Sequence, residues 1–398
     1  MRHNGHIRQR SKDSFEIRYN LGNDPLTGKR RTVTTTIKGE RKEAEKELRR
    51  LLRSLDTNEH VEPNKIRVGD YLTQWLDASR SQVSPKTHER YTELINHFLI
   101  EALGGSYLTK LDAYSIQQAY NKWETSGRKD GKRGGLAPRT RLHIHRVFRT
   151  ALKRAVKLRL ISYNPADDVI APKVRKSTIT TLNVEQSAVL LKALQDKNSR
   201  MYWPVLLAIT TGMRRGEIVA LRWQNVDFEN RTIRVVESIE QVGTKLRVKA
   251  PKTETTRAVT MSDYTFEELK AWKENQAKEL ANLGVKVTED TFVCGRSWDG
   301  GVLKPDSLSA EFRVAIREIP DIPVIRFHDL RHSHATQLLK LGIHPKIAQE
   351  RLGHSTITTT IDLYSHVVET MQTDAVSKLD SAYRPVMKAQ ADRNPKLG

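Results

Sequence analysis

The sequence is poor in cysteine, since Cys294 is the only one among 398 residues. A single thiol excludes an intrachain disulfide and is typical of a reducing compartment such as the cytoplasm. The surrounding stretch, Phe292-Val293-Cys294, predicts a buried strand residue rather than a nucleophile.

Long apolar runs are also missing. No run approaches the roughly 20 residues of a membrane-spanning helix, and Met1 to His6 lack the apolar core of a signal peptide. The stretch from Gly22 to Lys29 has the wrong spacing for a phosphate-binding P-loop, and no Ser or Thr follows Lys29. The sequence therefore predicts neither a membrane partner nor a P-loop.

Positive charge is what the chain has in excess. It contains 68 Lys and Arg against 47 Asp and Glu, which gives a formal net charge of +21. Such a chain repels itself unless a polyanion neutralises it, so nucleic acid is the simplest partner. The alternative is a soluble protein that happens to be basic.

The length of the chain exceeds one ordinary hydrophobic core, so two or three domains are expected. The patterns predict a small domain of β-sheet plus one helix over residues 1–57, an all-α domain over 66–170 and a mixed, mainly-α (α+β) domain over 178–385. Residues 58–65 and 171–177 are predicted linkers, and residues 386–398 are expected to form a disordered tail.

The first domain is predicted from alternating apolar residues. Phe15, Ile17 and Tyr19 have strand periodicity, a turn follows over 24–28, and a second strand-like run and a charged helix come next. Three basic residues, Lys29, Arg30 and Arg31, lie at the hairpin. This arrangement favours insertion of a sheet face into a DNA groove, although a solvated basic face is the alternative.

The second domain has helical periodicity. Ser84-Pro85 is a good helix start, because serine caps a helix and proline suits its first position. A later helix is predicted from Pro138 with one basic face, formed by Arg139, Arg141, His145, Arg146, Arg149, Lys153 and Arg154. This face favours phosphate contacts, although calmodulin-binding and membrane-surface helices share the pattern.

Six polar residues in the last half of the chain match the needs of phosphodiester cleavage; they are Arg214, Lys252, His328, Arg331, His354 and Tyr364. Two guanidiniums can hold the non-bridging oxygens and neutralise the charge of the transition state. A lysine can protonate the departing oxygen, imidazoles can move protons, and a tyrosine can be the nucleophile. The set predicts DNA cleavage through a covalent phosphotyrosine.

Local patterns suggest where two of these residues lie. Arg214 is expected at a helix start, where free backbone amides favour an anion, and its neighbour Arg215 points elsewhere and is expected to be solvated or paired. Lys252 lies in a polar turn between two strand-like runs, which indicates a hairpin lysine, with Lys249 as the competing candidate.

The histidines leave one alternative open. His328 and Arg331 are three residues apart and therefore share one face of a helix or turn. His332 and His334 invite a metal interpretation, but cysteine ligands and a His-Glu-x-x-His motif are missing nearby, so a metal site is the weaker hypothesis.

Tyr364 also has a second interpretation. With Ile357 and Ile361 it falls on one helical stripe, which would make it a core residue. The neighbouring His354 favours the nucleophile, because a tyrosine that titrates near pH 10 needs a partner for deprotonation.

These motifs resemble the tyrosine recombinases, the phage integrase family. The resemblance is carried by Thr211-Gly212-Met213-Arg214-Arg215-Gly216-Glu217, by the hairpin lysine, by His328-Asp329-Leu330-Arg331-His332-Ser333, by Leu352-Gly353-His354 and by Tyr364. It covers roughly residues 65–385. The first domain is similar to the arm-type DNA-binding domain of integrases from temperate phages and integrative conjugative elements.

The resemblance implies a DNA clamp made by a helical core-binding (SAM-like) domain and a catalytic domain, assembled as a homotetramer on double-stranded DNA. Tyr364 would form a 3′-phosphotyrosine, Arg214, Arg331 and His354 would hold the phosphate, His328 would assist proton transfer and Lys252 would protonate the 5′-oxygen. Cofactors, metal and ATP would not be needed. The resemblance also implies arm-type DNA sites and an excisionase or DNA-bending accessory protein. It further implies docking of residues 371–382 on a neighbouring subunit and action in the cytoplasm of a bacterial host.

Three other functions compete. A type IB topoisomerase shares the tyrosine chemistry but relaxes supercoils as a monomer, and the separate basic first domain argues against it. A catalytically silent DNA-binding regulator of the same fold is disfavoured by the intact residue set. A metal-dependent nuclease would be sensitive to chelators.

Overall fold

The structure, a computed structural model, describes residues 5–23, 28–56, 64–175, 179–249, 256–353, 356, 376–377 and 379–387. The chain divides into two compact units, residues 1–176 and 177–398. The first unit contains two separate hydrophobic clusters and the second is built around one large cluster. The precise bounds of the linkers stay predictions.

The N-terminal part of the first unit is a three-stranded antiparallel sheet with one helix. Its elements are β1 (Gly5–Ser11), β2 (Ser14–Asn23), β3 (Arg30–Lys38) and α1 (Arg41–Asp56), and the strand order is β1-β2-β3. Phe15, Ile17 and Tyr19 of β2 are buried, so the predicted alternation is confirmed. The sequence did not suggest β1, because nearly all of its residues are exposed and it has no apolar period. Residues 24–27 of the predicted turn lie outside the described residues.

The rest of the first unit is all-α, as predicted. Its helices are α2 (Val68–Ser79), α3 (Pro85–Leu94), α4 (Glu101–Leu103), α5 (Ala113–Thr125) and α6 (Pro138–Lys157), and a π-helical segment (Ile95–Ile100) joins α3 to α4. The predicted cap of α3 is confirmed, since the Thr87 backbone N–H donates to Ser84 Oγ at 3.2 Å.

The second unit mixes helices with short antiparallel strands, which confirms its predicted class. In chain order they are α7 (Val184–Asp196), α8 (Tyr202–Thr211), α9 (Arg215–Ile218), β4 (Val226–Asp227), β5 (Thr232–Val235), β6 (Ser238–Val242), β7 (Lys245–Lys249), β8 (Arg257–Thr260), α10 (Asp263–Ala281), α11 (Pro305–Ala315), α12 (Phe327–Lys340) and α13 (Pro345–Leu352). The strands form one sheet of order β4-β5-β8 and a separate β6-β7 pair.

The end of α8 fixes the position of two later helices. Helix α8 is almost wholly buried and ends at Gly212, whose φ of 67° lies in the left-handed region that glycine favours. A Cβ at Gly212 would lie 2.6 Å from His334 of α12 and 2.7 Å from Leu352 of α13. Only a residue without a side chain therefore lets these three helices meet.

Two expectations need correction. Cys294 is buried, which raises the pKa of its thiol, but the local backbone is a turn with one isolated bridge from Phe292 to Arg222 rather than a strand. A short apolar run predicts burial better than it predicts backbone conformation. Residues 379–387 are helical, so the tail predicted from 386 begins inside a helix, and residues 388–398 lie outside the described residues. The described helices include none that is long and apolar enough to cross a membrane.

Candidate active site

Arg214 directly precedes α9, as predicted, but its backbone amide is not open to an anion. The amide donates to the Glu217 carboxylate at 2.8 Å, and Arg214 Nη1 donates to the same carboxylate at 2.9 Å. Glu217 therefore closes the start of α9 in the manner of a capping box. The expectation of a free amide therefore fails for Arg214 itself, because the Glu217 side chain occupies its N–H.

Glu217 is a buried carboxylate shared by two arginines. It is 3% exposed and also accepts hydrogen bonds from Arg257 Nη1 at 3.1 Å and Nη2 at 2.6 Å. Burial by itself raises the pKa of Glu217, but the hydrogen bonds and charges of Arg257 and Arg214 outweigh it and lower the pKa to about 2. Glu217 is therefore a fixed negative charge at neutral pH.

Arg331, on the first turns of α12, is a buried cation. It is 3% exposed and donates from Nη1 to the Gly212 carbonyl and from Nη2 to the Leu352 carbonyl, both at 2.6 Å. Burial first, and then the charge of Arg214, lower its pKa to about 9, so it stays charged at neutral pH. Among the described residues no carboxylate forms an ion pair with it. A buried cation without an acid partner favours an anionic ligand.

Three successive carbonyls at the end of α13 each accept a hydrogen bond from a different arginine. Arg257 Nε donates to the Arg351 carbonyl at 3.1 Å, Arg331 Nη2 to the Leu352 carbonyl at 2.6 Å, and Arg214 Nη2 to the Gly353 carbonyl at 2.7 Å. The last carbonyls of a helix lack partners within the helix, and cations near that end are stabilising. The structure thus brings Arg214 and Arg331 together at the residues that directly precede His354 in the sequence.

His328 lies on the first turn of α12 and is exposed to solvent. Its ring centroid is 5.0 Å from that of His332. Partial desolvation first, and then the charges of His332 and Arg331, lower the pKa of His328 to about 4. The imidazole is therefore neutral at pH 7 and can accept a proton.

His334 does not share a site with His328. Its Nδ1 lies 2.7 Å from the Ile209 carbonyl, and its Nε2 accepts a hydrogen bond from Arg351 Nε at 3.1 Å. Both ring nitrogens are therefore already engaged. In the part of the chain that the structure describes, no group of three or more His, Cys, Asp or Glu residues could hold a metal ion.

Lys252, His354 and Tyr364 lie outside the described residues. The flanking strands of Lys252 are present, but β7 pairs with β6 while β8 pairs with β5. The hairpin expected between β7 and β8 is therefore wrong, because each strand found its partner in a different sheet. The competing Lys249 forms an ion pair with Glu240, which leaves it less available for proton transfer.

A basic cavity borders His328. It has a volume of about 590 Å³ and is lined by four arginines, Arg215, Arg313, Arg317 and Arg326, together with His328 and apolar residues. Arg215 pairs with Asp306 at 3.3 Å and donates to Ser309 Oγ at 2.6 Å, which confirms that it is a paired neighbour of Arg214. Arg326 pairs with Asp329 at 2.7 Å. Arg313 and Arg317 are exposed, and no described carboxylate pairs with either.

The basic residues suggested for DNA contact differ in availability. Seven of them are exposed, namely Lys29, Arg30, Arg31, Arg139, Arg146, Arg149 and Lys153. Of these, Arg149 pairs with Asp167. The Arg141 side chain is only 11% exposed and pairs with Glu124 at 2.9 Å, so it is the least accessible of the set. His145 was placed on the basic face, but it is buried with Nδ1 3.2 Å from the Tyr120 hydroxyl, because it lies beside the apolar stripe of α6.

Sequence reasoning missed Glu217, Arg257 and Arg351 as site residues. Glu217 stands three residues after Arg214, which is capping-box spacing and could have indicated its contact. Arg257 and Arg351 carried no comparable signal, because their partners are 40 and 141 residues away in sequence.

Comparisons with known proteins agree on one family. The model of the phage integrase family matches residues 179–371, and that of the phage integrase N-terminal SAM-like domain matches residues 68–124. The ICEBs1 integrase of Bacillus subtilis strain 168 is 24% identical over 375 residues, which are 94% of this chain and 99% of that protein. A XerC-like tyrosine recombinase of Caldanaerobacter subterraneus is 25% identical and covers 86% of this chain and 90% of its own length.

Solved structures share the fold. The Tn1549 transposon integrase in complex with a circular intermediate DNA has a TM-score of 0.64 and 21% identity, covering 76% of this chain and 96% of its own. A lambda integrase tetramer bound to a Holliday junction has a TM-score of 0.57 and 19% identity, covering 88% of this chain and 96% of its own.

Proposed function

The chain is a site-specific DNA recombinase of the phage integrase family, and we propose that it cuts and rejoins DNA at the Arg214–Arg331 site to integrate and excise a mobile element. The observation that carries this proposal is the charge of the site. Arg331 is buried beside Arg214 without an acid partner among the described residues, and a phosphodiester supplies the missing negative charge.

Tyr364 is the proposed nucleophile. Its oxygen forms a bond to the scissile phosphorus, the bond from phosphorus to the 5′-oxygen breaks, and the products are a 3′-phosphotyrosine and a 5′-hydroxyl. Arg214, Arg331 and His354 hold the non-bridging oxygens and neutralise the transition-state charge. Because the phosphotyrosine retains the bond energy, a 5′-hydroxyl from another strand can reverse the step without ATP.

Two further residues are assigned roles in proton transfer. Neutral His328 assists removal of the tyrosine proton. Its pKa of about 4 leaves the ring unprotonated at pH 7, so it can accept a hydrogen bond from the hydroxyl, but the same low pKa makes it a weak base. Lys252 donates a proton to the departing 5′-oxygen. The ion pair of Lys249 with Glu240 supports Lys252 over its competitor.

The rest of the molecule supplies DNA contacts. The cavity lined by Arg215, Arg313, Arg317 and Arg326 would hold phosphates that flank the scissile one, since it adjoins His328. Exposed basic residues of α6 and of the β3 start would contact core-type and arm-type sites. We further propose a homotetramer on two paired sites, aided by an excisionase or DNA-bending protein, acting on chromosomal DNA in the cytoplasm of a bacterial host.

The test is adduct formation on a nicked attachment-site duplex that releases a short 5′-hydroxyl fragment after cleavage. Wild type, Tyr364→Phe and the control Tyr264→Phe, which changes an exposed tyrosine at the start of α10, are incubated with it in chelator. A denaturation-resistant protein–DNA adduct with wild type and the control, but not with Tyr364→Phe, is the expected result.

Other outcomes identify the rivals. Tight binding without an adduct would favour the DNA-binding regulator, and loss of activity in chelator would favour the metal-dependent nuclease. Adducts without any joining between two different duplexes would favour the topoisomerase.

A further inference from the structure

Arg257, the first residue of β8, is a largely buried arginine in direct contact with the acid that holds Arg214. Its side chain is 13% exposed. The guanidinium donates two hydrogen bonds to Glu217, at 2.6 and 3.1 Å, and its Nε donates to the Arg351 carbonyl at 3.1 Å. Since Arg214 Nη1 donates to the same carboxylate, one acid joins the two arginines.

The surroundings of Arg257 leave it little access to a ligand. All three of its guanidinium nitrogens donate to protein acceptors, and a Cβ at Gly353 would lie 3.0 Å from Arg257 Nη1. The guanidinium is therefore packed between Glu217 and the end of α13. The Arg214 side chain, in contrast, is 41% exposed and can reach a bound phosphate.

We propose that Arg257 is a positioning residue for strand cleavage. Through Glu217 it fixes the guanidinium of Arg214, and through the Arg351 carbonyl it fixes the end of α13, on which Arg214 and Arg331 also rest. The inference rests on the proposed function. A displacement of about 1 Å at a reacting centre can cost roughly 100-fold in rate, so loss of these bonds should slow cleavage while DNA affinity is kept.

The first test uses Arg257→Lys, which keeps the charge but cannot form the bidentate pair and the third hydrogen bond together. Adduct formation is measured in single turnover at saturating protein on the nicked duplex, and the Kd for the same duplex is measured by fluorescence anisotropy. The expected rate is about 100-fold below wild type at an unchanged Kd. The matched control is Arg231→Lys, because Arg231 is an exposed arginine just before β5 that pairs with Asp263; both of its values should equal those of wild type.

The second test asks whether Arg257 acts through Arg214. In a duplex with a methylphosphonate at the scissile position, a neutral methyl group replaces one charged oxygen, so the demand for the Arg214 guanidinium falls. The deficit of Arg257→Lys should shrink to about 10-fold or less, as should that of Arg214→Lys, because one donor to the developing charge is worth about 100-fold or more. An equal deficit on both duplexes, or a Kd that rises as the rate falls, would mean a merely structural role and overturn the inference.

A further variant covers the case in which Arg257→Lys does not fold. Glu217→Gln removes the acid that links the two arginines, so it should reproduce the slow cleavage, and the double variant should be no slower than the slower single one. Additive losses would contradict the inference. If wild type forms no adduct, the proposed function fails and the inference with it; if wild type is active and the variants match it, only the inference fails.

Discussion

His334 is a buried imidazole whose proton state affects the stability of the arginine site. With the tautomer protonated at Nδ1, it donates to the Ile209 carbonyl at 2.7 Å, and its Nε2 accepts from Arg351 Nε at 3.1 Å. Burial first, and then the charge of Arg351, lower its pKa to about 4. Protonation would break the bond to Arg351 and place two cations side by side.

The free energy of unfolding should therefore decrease as the pH is lowered through a defined window. The unfolded chain takes up this proton near pH 6.5 and the folded chain only near pH 4, so the contribution of His334 is complete above about pH 6.5 and is lost as pH falls towards 4. For a 5% exposed side chain the loss amounts to about 3 kcal/mol.

The measurement is the Tm of the full chain between pH 7 and pH 4.5, for wild type and His334→Gln. The variant cannot titrate at this position, so its Tm should fall less with pH than that of wild type. Parallel Tm curves for the two proteins would show that His334 is not the titrating group.

At the scale of elements, the contact of α8 with α12 and α13 depends on Gly212. An alanine there would need φ of 67° and would bring its Cβ within 2.7 Å of His334 and Leu352. Backbone strain and overpacking together should lower the free energy of unfolding of Gly212→Ala by about 2–4 kcal/mol. Cleavage should slow as well, because Arg331 donates to the Gly212 carbonyl.

Gly284 offers a matched control for backbone strain alone. Its φ is 75°, and a Cβ there would meet nothing within 4 Å. Gly284→Ala should therefore cost only about 1–2 kcal/mol in chemical denaturation and leave cleavage unchanged. If the two alanine variants lost the same free energy of unfolding, the helices would have to shift around Gly212 without penalty to accommodate the added Cβ.

Local signals in the sequence predicted elements well and their partners poorly. The cap at Ser84 and the alternation of Phe15, Ile17 and Tyr19 are written in neighbouring residues, and the structure has both. The pairing of β7 with β6 rather than with β8 depends on the packing of distant segments, which no local pattern reports.

In the candidate site, too, residues with a local sequence signal could be predicted and residues identified only by distant contacts could not. Arg214 and Arg331 could be selected because phosphodiester chemistry demands cations and their motifs are specific. The contact of Glu217 with Arg214 could have been predicted from helix-capping rules. Arg257 was not, because one basic residue at the start of a strand looks like any other until Glu217, 40 residues earlier, folds against it.

At the scale of the whole molecule, the net charge of +21 predicts DNA binding that weakens steeply with salt. Each neutralised phosphate contributes about 0.9 to the slope of log K against log salt concentration. Arg313 and Arg317 line the basic cavity, so the double alanine variant should reduce the slope by about 2 if each contacts one phosphate.

A control variant separates this contact from net charge. Lys192→Ala with Lys197→Ala removes two positive charges from α7 and the residue after it, where both lysines form exposed ion pairs. Its salt slope, measured by anisotropy on the same duplex, should match wild type. If both double variants lose the same slope, the cavity has no special role in DNA binding.

The carbonyls that hold Arg214 and Arg331 also change the entropy of binding. A guanidinium has five N–H donors, and each of these arginines already uses two of them on Glu217 or on backbone carbonyls. A free arginine side chain has about 2 kcal/mol of rotamer entropy to lose. Because these hydrogen bonds already restrict the two side chains in the folded protein, much of that entropy is lost on folding. Binding of a DNA phosphate should therefore cost little additional side-chain entropy.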